Sequence, residues 1–310
     1  MMPTGWKQIE PFIKYGGLLI TLLFLAVSEI VLVGYVAQIG VLFTMILFAF
    51  RRYYVFLVIG ALGSLAVGYQ VLGFSSFMMI AWAVVVIPGV LLGGLIASGR
   101  STARAFAYAI GGAAILAVAM YFMQRSMIDM AINELRELTV MFVGDLGLSQ
   151  VAETNLTDNV VKIVQLVGRL MPSLMALSAI AQLFLGWLLL VVVMHGLGEF
   201  FPTMGNFIYW KMPYFYMYGI GLFLVFRLVG PETARMVSDN GLVFLGFFYA
   251  VFGFSVIDYY LKRIRLSLFL RILFYIGFAF LQLPGLLLAA LIGLLDSHFD
   301  FRRVRARIIG

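Results

Sequence analysis

Cysteine is missing from all 310 residues of the chain. That excludes structural disulfides and any cysteine-built metal set, and it leaves the redox compartment unread. Histidine is nearly missing too: His195 falls at an expected helix end and His298 in the tail, neither with the spacing of a metal pair. Charge is scarce at 11% of residues, where a soluble domain carries about a quarter. There is no P-loop, no GxGxxG and no HExxH, so the phosphate and metal chemistry those motifs build is not expected. The one glycine-rich stretch of that kind, GGAAILA at 111–117, is apolar and reads as helix packing. No catalytic residue, metal or cofactor is expected, and the chain does not read as an enzyme. No Gly-Ser linker or fixed-period repeat divides it. The N-terminus has no small-residue cleavage site behind a short apolar region, so the run from Gly16 onward reads as a retained helix.

What the chain has is apolar surface. Hydrophobic residues make up 64% of it, and several runs exceed the roughly 20 residues that cross about 30 Å of hydrocarbon as helix. They are too continuous, and too rich in Leu, Ala and Gly, for the alternating strands of a barrel. The expected fold is all-α: a polytopic transmembrane bundle of about eight crossings plus a C-terminal re-entrant hairpin or a ninth helix. The run 16–50 would reach about 52 Å as one helix, too long for a single crossing. It reads as two helices that return the chain at Arg51-Arg52. Further helices are expected over 54–69, 77–97 and 103–123.

The composition then turns polar. Six acidic residues lie within 124–170, and Met127, Met130, Leu135, Leu138 and Met141 recur at helical spacing between charges. An amphipathic helix ending at Gly144 or Gly147 is expected, then a second helix running past Pro172 to about His195. Two more crossings follow over 214–229 and 242–261, joined by GPETARMVSDNG read as a turn. Three segments result: 1–123, an acidic extracytoplasmic insert at 124–171, and 172–310, all in one integral membrane unit.

Basic residues set the expected orientation. With the N-terminus cytoplasmic, the inner segments carry Lys7, Lys14, Arg51, Arg52, Arg100, Arg104, Lys211, Lys262, Arg263, Arg265 and Arg271, while the outer ones are mainly acidic. This places the chain in a bacterial inner membrane. The +7 net charge is then explained by loop orientation and anionic lipid, with no nucleic acid among the partners. The C-terminus poses a choice. Arg302, Arg303, Arg305 and Arg307 lie outside if 266–295 crosses once, and inside if it reverses at Pro284-Gly285. The hairpin is favoured, with the four arginines as a cytoplasmic anchor at headgroup level and Asp296 and Asp300 pairing locally with Arg302 or Arg303.

The ending GLLDSHFDFRR, the basic LKRIRLSLFLRILF before it, the stretch MPSLMALSAIAQLFLGWLL and the segment YWKMP together resemble the YybS-like family of predicted bacterial membrane proteins, domain of unknown function 2232. The resemblance covers nearly the whole chain. It implies a multi-pass membrane protein and brings no catalytic residues with it. Residues 1–195, with six helices and the longest outer loop between the fifth and sixth, are similar in architecture to the substrate-capture (S) components of energy-coupling-factor vitamin transporters.

Few side chains stand out against this background. Glu29 is a carboxylate inside an apolar run, costly at mid-bilayer unless it faces a cavity, a partner or water. It is the first candidate for a substrate or ion contact, beneath the acidic insert, with Gln70 and Arg227 beside it. Arg227 reads otherwise as a snorkelling side chain, and Asp258 as an i, i+4 partner of Lys262. Gly60, Ser64 and Gly68, and Gly89 and Gly93, fall four apart and read as close-packing positions, while Pro88-Gly89 can kink its helix and free carbonyls. The favoured function is a transporter-like or substrate-capture membrane subunit for a small molecule or lipid. The alternative is a non-transporting scaffold that docks membrane or cytosolic proteins through its basic loops and tail.

Overall fold

The computed structural model describes residues 14–15, 31–72, 76–145 and 150–302, without side chains for 31–37, 64–82, 127, 139, 143–145 and 150–157. Among the described residues there are nine α-helices, one 3₁₀ turn and no strand, so the expected all-helical bundle is what forms. Among the described residues four helical segments are long and apolar enough to cross a membrane: Thr102–Ser126, Asp158–Gly196, Glu232–Arg263 and Gln282–Phe299. Five shorter apolar ones join them, among them Gln38–Phe50, Tyr216–Val229 and Leu268–Phe280. The chain packs as two compact units, Met1–Thr203 and Met204–Gly310.

The first unit is built from α1 (Val31–Phe50), α2 (Tyr54–Leu72), α3 (Ser76–Ala97), α4 (Thr102–Asp145) and α5 (Gln150–Gly196). The expected return at Arg51-Arg52 is present: Arg52 takes φ 59°, its guanidinium donates to the Ala97 carbonyl, and Arg51 pairs with Glu199 at 3.1 Å. Helix α1 is the centre of this unit, with Leu42, Met45, Ile46, Leu47 and Phe48 all buried. Lipid supplies no hydrophobic force between helices, so they associate where small residues let backbones approach. Gly89 and Gly93 on α3 do this against α1, and Gly186 on α5 sits against Leu42 and Phe43. On α4 the buried Ala105, Ala109, Ala113 and Ala117, each four residues on, form the same kind of seam. Gly60 is buried on α2. Gly68 and Gln70 are on the same helix, but their side chains lie outside the described set.

A Cβ on Gly93 would stand 2.3 Å from the Ile46 carbonyl oxygen, whereas one on Gly94 would meet nothing within 4 Å. Gly93→Ala should therefore lower the unfolding midpoint, by about 1–3 kcal/mol as overpacking usually does. Gly94→Ala should leave it unchanged or raise it. Equal midpoints for the two variants, in the same detergent, would show that this contact does not hold α1 to α3.

One expectation about helix ends changes in this unit. The helix expected to stop near Met123 and the amphipathic helix after it are one element: α4 runs 44 residues, about 66 Å. It pairs antiparallel with α5, as Phe106 against Trp187 and Ile132 against Gly168 show. Past Phe122 much of its apolar surface, including Met130, Leu138 and Met141, is exposed. Pro88 and Pro172 both sit inside continuous helices.

The second unit contains the 3₁₀ turn Phe207–Tyr209, α6 (Tyr216–Val229), α7 (Glu232–Arg263), α8 (Leu268–Phe280) and α9 (Gln282–Phe299). The stretch GPETARMVSDNG, expected as a turn, is mostly helix. Gly230 and Pro231 break the chain, and α7 starts at once with Glu232 in its first turn, where a carboxylate favours the positive helix end. The apolar run after Ser267 does divide, but at Leu281-Gln282 and not at Pro284-Gly285. Gln282 takes φ 48°, which interrupts the helix, and Pro284 then falls in the first turn of α9, where its missing N–H costs nothing. Its second arm is a full 18 residues, about 27 Å, not a half-helix.

Candidate functional site

Helix α7 organises the second unit. Its Tyr249 and Leu245, with Met212 from the segment before α6, form a buried cluster that Phe223, Phe244, Phe248, Phe252 and Leu294 cover. Gly253 of α7 and Gly293 of α9 bring the two backbones into contact, since a Cβ on either would fall about on a carbonyl oxygen of the other helix. One turn beyond Gly253, α7 carries two polar residues, Ser255 and Asp258, both buried. Each is the centre of a different cluster.

Ser255 belongs to a lock made by the end of the described chain. Asp300 adopts φ 51° and caps α9 through its N–H on the Asp296 carbonyl, so the chain reverses and Arg302 turns back inside. There the guanidinium uses its five N–H groups fully. Nε and one terminal nitrogen donate to Asp296 Oδ2 at 3.2 and 2.8 Å. The same terminal nitrogen donates to the Trp210 carbonyl at 2.7 Å, and the other to the Ile208 carbonyl and to Ser255 Oγ. Ser255 Oγ–H in turn donates to the Phe207 carbonyl at 2.6 Å. Beside this lock, Lys211 pairs with Asp300. Arg302 is therefore not a headgroup anchor: its side chain is fully buried, because two carbonyls and a carboxylate inside the unit replace water. The expected local pairing with Asp296 is present, and Asp300 pairs with Lys211. Arg303, Arg305 and Arg307 lie outside the described residues.

Asp258 belongs to a groove. Lys262, one turn on, donates to Oδ2 at 2.8 Å, as expected, and Arg271 from α8 donates to Oδ1 at 3.2 Å. The second partner was not legible in sequence, because it depends on how α8 folds back along α7. Behind this trio a groove of about 680 Å³ runs between α7, α8, α9 and the 3₁₀ turn. Its walls include Phe207, Phe254, Leu268, Ile272, Phe278 and Leu286, with the polar Tyr275 and Gln282 among them. Phe254 stacks edge-on against Tyr275 and Phe278, and these ring contacts with the Asp258–Arg271 pair hold α8, most of whose other side chains are exposed. The groove is open along one side, and its volume falls within the range usual for ligand pockets.

Of the other sequence candidates, Arg227 meets an anion of the protein itself, Asp239, at 2.6 Å. Glu29 lies outside the described residues. Arg227 does not line the groove. In the first unit a smaller cavity of about 230 Å³ lies beside Arg52, with Tyr54, Leu57, Val90 and Ser98 in its lining, and it has no acidic residue among its lining.

Three of the four stretches that carried the resemblance meet here: YWKMP and DSHFDFRR in the lock, LKRIRLSLFLR along the groove. A family model with the description "Predicted membrane protein (DUF2232)" matches residues 18–297. Among curated proteins and solved structures, none matches the chain.

Proposed function

Since the chain belongs to that family of membrane proteins, we propose that it is a binding protein of transporter type for a small molecule or lipid, and that the second unit's groove is the place of binding. The observation that carries the proposal is the groove's uneven lining: walls mostly aromatic and aliphatic, with Gln282 among them, and at one end Asp258 and Arg271, with Lys262 paired to Asp258. Such a site suits an amphiphile that lies along the membrane and keeps its polar end at the interface. The proposed role is binding and movement. The topology proposed with it is that of a bacterial inner-membrane protein with a cytoplasmic N-terminus, which sets the Lys262-to-Arg271 end on the cytoplasmic side.

The scaffold reading drew on the same basic segment as a docking surface for proteins. Two of its charges, Lys262 and Arg271, are turned onto Asp258 instead, which supports a ligand over a protein partner. Glu29 enters the proposal through sequence alone, as a carboxylate that needs a polar surrounding within the bilayer.

The test is labelling by a phospholipid with a photoreactive acyl chain, in vesicles holding the full chain. Adducts should concentrate on the peptides bearing Phe254, Ile272 and Leu286. Labelling spread evenly over the exposed faces, with α6 marked as heavily as α8, would remove the groove as a site.

A further inference from the structure

We infer that the groove's occupant is an anionic phospholipid, with its phosphate at Arg271 and Lys262 and an acyl chain along Phe254, Ile272, Phe278 and Leu286. This rests on the groove being the binding site and adds the sign of the headgroup. The charge count decides that sign. Asp258 brings one negative charge to the polar end, and Lys262 and Arg271 bring two positive ones. Each oxygen of Asp258 already faces a cation, Oδ1 Arg271 and Oδ2 Lys262, so its single charge is more than offset and attracts a cationic headgroup little. The surplus is positive. Arg263 and Arg265, both exposed, follow within three residues of Lys262 and strengthen it.

The donors are also incompletely used. Nε of Arg271 is buried and has no hydrogen-bond partner, although Arg271 lines the groove. A buried guanidinium N–H without an acceptor is an unpaid desolvation, and a phosphate oxygen is the acceptor its planar fork fits best. Helix α8 begins at the same end, with Leu268 and Arg271 of its first turn in the groove lining, so its positive dipole end adds to the field. From Arg271 to Phe278 the helix rises about 10 Å, and apart from Tyr275 the walls over that length are apolar. A free phosphate would leave those walls empty; a lipid covers them.

The experiment compares phosphatidylglycerol and phosphatidylcholine, each with the same photoreactive acyl chain and at the same mole fraction, in vesicles containing the full chain. Labelling is read at the Ile272 peptide and, as an exposed reference on α6, at the Leu222 peptide. The phosphatidylglycerol-to-phosphatidylcholine ratio at Ile272 should exceed that at Leu222 by about five- to ten-fold, the effect of one to two basic residues on an anionic lipid. Arg271→Gln should bring the Ile272 ratio down to the reference value, and Arg271→Lys should keep part of the excess. Asp258→Asn should raise it, because the carboxylate competes with phosphate for the same donors. Strong labelling at Ile272 with equal ratios at both positions would overturn the headgroup inference and leave the groove as a neutral lipid site. Labelling at Ile272 no stronger than at Leu222 with either lipid would overturn the groove itself. An excess that survives Arg271→Gln would overturn the place given to Arg271.

Discussion

Arg302→Ala should cost the second unit about 3–5 kcal/mol, the usual loss when one member of a buried ion pair is removed. The pair is buried in full, with side-chain exposures of 0% for Arg302 and 2% for Asp296. Truncation would leave the Asp296 carboxylate without a countercharge, and its Oδ1 already has no hydrogen-bond partner. It would also strip donors from the Ile208 and Trp210 carbonyls, which close the turn before α6. The loss should appear as a lowered unfolding midpoint in detergent and as faster hydrogen exchange across 204–211. Lysine should not rescue it, since one ammonium cannot reach a carboxylate, two carbonyls and a hydroxyl from a single point. Asp296→Asn should be nearly as costly as the arginine truncation. The double change Arg302→Met with Asp296→Leu should recover much of either loss, because an apolar pair carries no desolvation penalty. If Arg302→Lys were as stable as the parent chain, the fork geometry would not be what holds the turn.

That arginine also marks where sequence reasoning runs out. A cluster of Arg302, Arg303, Arg305 and Arg307 behind an apolar helix reads as an interfacial anchor, and nothing local contradicts it. Its partners at Ile208 and Ser255 stand 94 and 47 positions away, and no periodicity encodes separations of that kind. Local signals did better. The return at Arg51-Arg52, the helix through Pro172 to its end at Gly196, and the close-packing of Gly89 and Gly93 follow from charge, hydropathy and residue size. The start of α7 was missed although its signal was present: Pro231 followed by Glu232 is a helix-opening pair, and the polar composition of the next residues hid it. The break before α9 was placed three residues late for a related reason. By itself Pro284 reads as a helix breaker, but its position within the first turn of α9 lets it open the helix. As for the groove, the i, i+4 pair of Asp258 and Lys262 was legible, while Arg271 and the walls depend on how three helices fold together.

The seam that sets those three helices gives the second large effect. Gly253→Ala should destabilise the unit by at least the 1–3 kcal/mol typical of overpacking, and Gly253→Leu by more. The new Cβ would fall on the Ala289 carbonyl, 1.8 Å from its oxygen and 2.6 Å from its carbon. From the other side, a Cβ on Gly293 would stand 2.1 Å from the Tyr249 oxygen and 2.8 Å from the Gly253 nitrogen. Every one of these neighbours is backbone, so no side chain can swing away and the helices themselves must part. Parting them opens the cluster of Leu245, Tyr249 and Met212, whose partners Ala290 and Leu294 come from α9. It also moves Phe254 and Asp258 relative to Leu286, so the groove should lose lipid labelling although none of its side chains has changed. Gly246→Ala is the control: it lies on the same helix with nothing within 4 Å, and should be neutral or gain up to about 1 kcal/mol from helix propensity. Equal midpoints and equal Ile272 labelling for Gly253→Ala and Gly246→Ala would mean that the α7–α9 contact neither holds this unit together nor shapes its groove.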